Sequence, residues 1–414
     1  MDAPSALRVE LYRPQGDWVE VGTLRRNDER NWFEIDDAYW SLADRPILGQ
    51  VFEEHGPGWR PTTRTRLPNW FGHTLPEGRL RRAVADAAHV NIEREFHLLA
   101  GIGGEDLPGG LRVRPVDPDG AEVPGDDEGR AEFDTVANVD PRLKFSLAGV
   151  QLKFSSRALG KGFAIPGSGQ SGDWILKLPG SSGYERVTDL EHAVLVLARS
   201  SGITVPDHAL VPATQVDGLP EWVGAVAGSV LAVARFDRLE GGGRVHFEEL
   251  AQVLDIPTAT DDAKYARGNF ETVVRVAAAL CGVGDAYETI QRIAFDVLVG
   301  NGDAHLKNWA FTYPDGRNPR VSPAYDLVPT RLFLPGDDLG LKLAGSRRFE
   351  DVSVASFRRL GDRLGLDGEV VVGFVAAVVA KVAEAWPILA ELVTTDEFER
   401  LTRHRDSLPF VHGR

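Results

Sequence analysis

The stretch Gly302-Asp303-Ala304-His305-Leu306-Lys307-Asn308, with Tyr325-Asp326 a short way downstream, decides how this chain is read. Four residues separate Asp303 from Asn308. A carboxylate, an amide and a second carboxylate arrive in the order that phosphoryl transfer requires. The first can orient an attacking hydroxyl and accept its proton; the other two are hard oxygen ligands for magnesium bridging nucleotide phosphates. Lys307 adds positive charge to the same loop. Upstream, Phe295-Asp-Val-Leu-Val-Gly-Asn301 reads as the apolar end of a helix entering a glycine turn. Downstream, Trp309-Ala-Phe-Thr-Tyr313 reads as a strand, and Pro314-Asp-Gly-Arg317 as the turn that brings the chain back to Asp326.

Alone, a D-x-x-x-x-N spacing also fits a solvated loop. Its setting separates the two readings, because helix, loop, hairpin and acidic residue follow one another in the catalytic loops of protein kinases. The expected fold class is therefore α+β, a two-lobed protein-kinase-like fold with an N-terminal strand-containing subdomain and a mainly helical C-terminal lobe. The expected boundaries are 1–115 for the N-terminal subdomain, 116–135 for an acidic linker, 136–245 for an ATP-binding lobe and 246–414 for the helical lobe that carries the catalytic loop. The linker reading rests on residues 116–129, which are acidic, rich in Pro and Gly, and nearly free of large apolar groups.

Within the first unit, alternation marks strands at Leu7 to Tyr12 and Trp18 to Leu24, with helices around Glu77 to Ala87 and Asn91 to Leu99. In the second, Ser146-Leu-Ala-Gly-Val-Gln-Leu-Lys153 reads as a turn between strands whose Ala148-Gly149 lets backbone amides approach phosphate. It has one glycine where G-x-G-x-x-G has three, and no Walker A motif occurs, which argues against a P-loop NTPase. Trp174-Ile-Leu-Lys177 is an apolar strand carrying one lysine, as in the V-A-I-K strand of kinases; such a lysine equally suits a solvent face. Glu191, on the next helix, is placed to reach Lys177 or simply to favour the helix N-terminus. Val223 to Ala234 reads as a two-stranded hairpin with a Gly-Ser turn, leading into Arg235-Phe-Asp-Arg238 where a kinase hinge would lie, with Phe236 available to an adenine ring.

Composition narrows the classes. A chain of 414 residues has room for two or three domains. A net charge of −15 removes the electrostatic term that drives non-specific nucleic-acid binding, so any DNA contact is expected through a partner. Arg60, Arg64 and Arg66, with Arg79, Arg81 and Arg82, form the local exception and read best as solvated surface. One cysteine, Cys281, permits no internal disulfide and no Cys-built zinc site; its apolar neighbours suggest a core thiol. The start of the sequence lacks a secretory pattern, and the uncharged run Val370 to Ala380 is too short to span a bilayer, so a cytoplasmic protein with no membrane partner is expected.

These residues together resemble the HipA-type serine/threonine kinases, the toxin halves of bacterial toxin–antitoxin pairs. The resemblance runs through Leu67-Pro-Asn-Trp-Phe71, Leu75-Pro-Glu-Gly78, Gly103 to Gly109, Ser146 to Lys153, Ile175 to Pro179, Val233 to Arg238, Gly302 to Asn308 and Tyr325-Asp326, nearly the whole chain. It implies ATP and Mg2+ as cofactors, with Asp303 as catalytic base and Lys177 on the ATP phosphates. Asn308 and Asp326 would hold metal, with His305 and Lys307 as active-site neighbours. Nucleotide contacts are expected from Ala148, Gly149, Val150, Gln151, Lys153, Arg235 and Phe236, and inhibitory autophosphorylation at Ser146. The implied partners are a helix-turn-helix antitoxin that carries the protein to operator DNA, and a protein substrate, an aminoacyl-tRNA synthetase by family precedent. The chain departs from the usual family pattern at Ala234 and at Phe247-Glu248-Glu249. Two other classes stay open on the residues alone: a metal-dependent phosphohydrolase using Asp303, His305 and Asp326, and a catalytically silent co-repressor subunit.

Overall fold

A computed structural model describes residues 5–27, 30–87, 89–104, 106–117, 151–166, 171–180, 183–260 and 262–414. Three sheets organise them. The first has five strands in the order β4-β3-β2-β1-β5, formed by β1 (Ala6–Tyr12), β2 (Trp18–Asn27), β3 (Arg30–Ile35), β4 (Thr62–Thr63) and β5 (Leu111–Val116). Leu7, Val9 and Leu11 point to one face of β1 and meet Phe33, Trp70, Phe71, Phe96 and Leu99 in a closed apolar core. On the other face Glu10 is buried between Arg112 and Arg114, whose guanidinium groups lie 2.8–2.9 Å from its carboxylate. The helix expected from Asn91 begins at Glu95 and runs to Ile102. Asn91 explains the delay: its side chain accepts the Glu93 N–H at 2.8 Å, closing an Asx turn where the helix would have begun.

The second sheet has the order β10-β7-β6-β8-β11-β9. Its strands are β6 (Lys153–Leu159), β7 (Gly162–Ala164), β8 (Trp174–Lys177), β9 (His208–Pro212), β10 (Val216–Asp217) and β11 (Ser229–Ala234). The hairpin expected over Val223 to Ala234 is only half present. Glu221–Val223 is a 3-10 turn, and pairing starts at Ser229, antiparallel to both β8 and β9. Between them Gly224 and Gly228 take φ of 74° and 90°, conformations that take the chain out of the extended region. The helix Val187–Ser200 packs on this sheet, its Val194 and Leu197 sharing a core with Leu231 and Val233 of β11.

The third sheet is the small β12-β13-β14 unit, made of β12 (His246–Glu249), β13 (Ala310–Tyr313) and β14 (Arg320–Val321). Behind it two helices, Phe270–Cys281 and Val283–Val299, bury Phe270, Phe295 and Leu298 in the largest apolar core. Burying each such side chain contributes about 1.5–3 kcal/mol, so this core is the rigid base on which the loop from Gly300 to Asn308 stands. Cys281 is half-buried, and burial pushes its thiol up to about 12. The helix Gly368–Ala385 continues as a 3-10 turn to Glu391, and the pair is long and apolar enough to cross a membrane by length and composition alone. Its Val371, Val375, Val378, Val382, Trp386 and Leu389 instead face the core at helical spacing. The architecture is the α+β, two-lobed kinase-like fold.

Candidate active site

The helix Val283–Val299 ends at Gly300, whose left-handed conformation (φ 73°) caps it and turns the chain into the loop. Two residues on, Gly302 passes so close to Asp337 and Asp338 that a Cβ would lie 2.1 Å from a carboxylate oxygen. Only glycine allows that approach, and it fixes where Asp303 leaves the backbone. The loop is then tied internally. Asn301 accepts the Asp303 N–H at 3.1 Å and donates to Asp296 at 2.8 Å, while the side-chain amide of Asn308 donates to the Asp303 carbonyl at 2.8 Å. With its nitrogen so engaged, Asn308 turns its amide oxygen the other way. Tyr325 donates to the Lys307 carbonyl at 2.7 Å and links the loop to Asp326.

Facing the loop across the cleft is a cationic pole. Lys177, at the end of β8, contacts both Glu191 and Asp326. Lys153, opposite Lys177 in the β6–β8 register, lies 2.9 Å from Asp326. Burial alone would raise the Asp326 carboxyl, but Lys153 and Lys177 outweigh it and hold the group well below the usual carboxylate range. Burial likewise opposes the Lys177 charge, yet Asp326 and Glu191 keep it charged, well above the ordinary lysine range. Glu191 moves up, chiefly through burial. Asp326 also takes φ of +54°, rare for a residue with a side chain and costing on the order of 1 kcal/mol or more. That backbone turn directs its carboxylate at the two lysines.

Asp303 accepts a hydrogen bond from the Tyr265 hydroxyl, and burial pushes its carboxyl up to about 6. Burial and the Asp303 charge push the Tyr265 phenol far above its ordinary value, so it remains a donor. His305 lies edge-on to Tyr265, ring centres 5.0 Å apart, and burial pushes it down to about 3, leaving a neutral ring. Asn308 and Asp326 offer an amide oxygen and a carboxylate, the hard oxygen donors that magnesium takes alongside nucleotide phosphates. The residues present therefore fit a magnesium–nucleotide complex.

The other expected site residues have varied surroundings. Lys307 turns out of the cleft to Glu77 of the N-terminal unit, at 2.5 Å, and to Glu249 at 3.5 Å. Glu77 also meets Lys264 at 3.3 Å. Burial raises the Glu77 carboxyl, and the two lysines overcome it, holding the group well below the usual range. Arg235, read as a nucleotide contact, has its guanidinium buried against Asp237 (2.9 Å) and Asp106 (2.5 Å). Asp237 in turn accepts from Arg238 and from the Gly109 N–H, both at 2.7 Å. The charged side chains of this segment, Arg235, Asp237 and Arg238, thus join it to the N-terminal unit. Phe236 packs between Phe247 and Tyr325, beside Asp326. Gln151 has a buried amide nitrogen with no partner among the described residues. Ser146, Ala148, Gly149 and Val150 lie outside the described residues. Of the basic stretch, Arg66 and Arg81 are drawn onto Glu95, at 3.2 and 2.7 Å.

Tyr265, Lys264 and Glu77 escaped the reading of the sequence. For Glu77 the Leu75-Pro-Glu-Gly78 match was on hand but carried no role; Tyr265, in a four-residue helix, had no motif around it.

The fold places the chain in a kinase-like class. Residues 17–114 match the family described as the HipA N-terminal domain, and residues 145–386 the HipA-like C-terminal domain. The chain belongs to the HipA family. "Putative kinase Y4dM" of Sinorhizobium fredii is 39% identical over 383 residues, 89% of each chain. "Serine/threonine-protein kinase toxin HipA" of Shewanella oneidensis is 27% identical over 278 residues, 61% of this chain and 58% of that one. A solved structure of Shewanella oneidensis HipA with HipB and operator DNA matches the fold at a TM-score of 0.71 and 20% identity, over 96% of this chain and 95% of the other.

Proposed function

We propose that the protein is an ATP- and Mg2+-dependent serine/threonine protein kinase. The observation that carries the reading is the cleft itself: Lys177 bound to Glu191 and Asp326 on one side, Asp303 and Asn308 on the other. Asp303, the catalytic residue, accepts the proton of the attacking hydroxyl. Lys177 and Lys153 move from Asp326 toward the nucleotide phosphates, and Asp326 and the Asn308 amide oxygen hold the metal. Held by Asp326 and Asn308, a magnesium ion would supply positive charge to offset the negative charge that develops on the transferred group. Gln151 and the segment around Ala148-Gly149-Val150 complete the phosphate contacts, and Phe236 supplies an apolar surface to the base. The buried, neutral His305 packs against Tyr265 instead of joining a metal cluster; among the described residues no group of three His, Cys, Asp or Glu is gathered. A phosphohydrolase finds less support here than a kinase.

The family relation extends the reading. The protein is a toxin whose phosphorylation of a protein substrate, an aminoacyl-tRNA synthetase by precedent, arrests growth, and Ser146 is its inhibitory autophosphorylation site. A phosphoserine there would set nearly two negative charges against the incoming phosphates. Its antitoxin is a HipB-like helix-turn-helix protein through which it reaches operator DNA, and it acts in the cytoplasm. Calorimetric titration with ATP tests the core of this. Binding should require Mg2+ in the native chain and weaken sharply in Asp326→Asn; metal-independent binding of equal strength in both would reject it.

A further inference from the structure

Phosphoryl transfer needs more than a carboxylate near the acceptor hydroxyl. One of its oxygens must be aimed, because a misplacement of about 1 Å can cost on the order of a hundredfold in rate. In this cleft one oxygen of Asp303, Oδ1, is already taken by the Tyr265 hydroxyl. Tyr265 is not a loose neighbour. Its carbonyl accepts from Arg347 at 2.7 Å, and the same guanidinium donates to the carbonyls of Gly340 (2.6 Å) and Leu339 (3.2 Å). Gly340 lies against the catalytic loop so closely that a Cβ would come within 2.8 Å of the Gly302 carbonyl and 3.0 Å of the Ala304 nitrogen. Preceding Tyr265, Lys264 is pinned to Glu77. Tyr265, Arg347, the 339–340 segment and the loop therefore form a closed ring that includes the base, in addition to the ties from Asn301 and Asn308.

We propose that Tyr265 is a positioning residue for the catalytic base: it holds Asp303 by Oδ1 and leaves the other carboxylate oxygen to the acceptor hydroxyl. This rests on the kinase reading above and adds to it the group that aims the base. The phenol cannot be replaced by a second acceptor, since a carbonyl or carboxylate there would repel Asp303.

The test is a double-mutant cycle on full-length protein, measuring phosphate transfer from ATP to a protein acceptor with Tyr265→Phe, Asp303→Asn and the pair. Tyr265→Phe should lower kcat about tenfold to a hundredfold, with KM for ATP and for the acceptor unchanged and the thermal midpoint within a degree or two of the parent. In the Asp303→Asn background it should cost almost nothing further, because the group it serves is gone. Native kcat in Tyr265→Phe, or losses that multiply across the cycle, overturns the proposal while the kinase reading stands. A parent protein that transfers no phosphate removes both, and is told apart by its own silence.

Discussion

Two lysines, the buried Lys177 and the partly buried Lys307, each contact two carboxylates, yet they belong to different regions of the fold. Lys177 sits in the cleft between Glu191 and Asp326, with Lys153 beside it, so a bound anion can take over part of its coordination. Lys307 sits on the outer side of the same catalytic loop, against Glu77 of the N-terminal unit and Glu249 of β12. The residue type is the same; the origin of the partners differs. A lysine whose partners all line the cleft can serve chemistry, whereas one whose partner arrives from another unit serves as a joint.

The largest effect should follow loss of the cleft lysine. Lys177→Met removes the charge proposed to meet the phosphates and leaves Glu191 without its lysine partner and Asp326 with Lys153 alone. Transfer should fall by about a hundredfold to a thousandfold, the range seen when a preorganised electrostatic group is removed. Near-native turnover would erase the distinction between the two lysines. Lys307→Met should act next most strongly, and on stability first. Removing one partner of a buried pair costs about 3–5 kcal/mol, and the half-exposed Glu77 (side chain 39% exposed) places this case below that range. Denaturant unfolding should show the loss, with KM for ATP little changed; a variant that loses ATP affinity but keeps its stability would put Lys307 in the cleft.

A smaller effect tests the neighbouring seam. Glu248 is buried where the N-terminal unit meets β12 and β13, accepting from the Tyr313 hydroxyl, the Gln50 N–H (3.0 Å) and the Trp70 indole (3.2 Å), with the Glu53 charge adding to the upward push. Burial pushes its carboxyl up to about 7 from an ordinary 4.5. Between those values the folded chain holds a proton that the unfolded chain releases, so this group's contribution is full below about 4.5 and is lost as pH rises through about 7. Glu248→Gln should flatten that slope, read as the difference between urea unfolding at pH 5 and pH 8; an equal slope in both proteins contradicts it. Smallest of all, Cys281, with its thiol pushed up to about 12, should react with maleimide far more slowly than a free thiol at pH 7.5, and Cys281→Ser should leave turnover unchanged.

What the sequence made legible follows the same division. Asp303, Asn308 and Asp326 stand at short spacings on recognisable elements, and the apolar strand before Lys177 marked its place, so the residues of the proposed site could be singled out from local sequence. Lys307 and Arg235 were placed by the same motifs, but their side chains answer to Glu77 and Asp106, far away in sequence. No local spacing records such a pairing. Tyr265 reaches Asp303 only because Arg347 and the 339–340 segment set its backbone, a tertiary cause without periodicity. The strands of the first unit were plain from alternation, whereas the first half of the supposed hairpin at Val223 gave way to glycines whose φ values the pattern does not carry.

The central claim, that Asp303 is the base of a phosphotransfer site, is tested most directly by single-turnover transfer of labelled γ-phosphate to protein in the native chain and in Asp303→Asn, each saturated with Mg2+ and ATP. The account predicts label on protein in the first and a rate lower by about a hundredfold to ten-thousandfold in the second, roughly 3 to 5 kcal/mol of barrier. Equal rates in the two, or no transfer by the native chain, would contradict it.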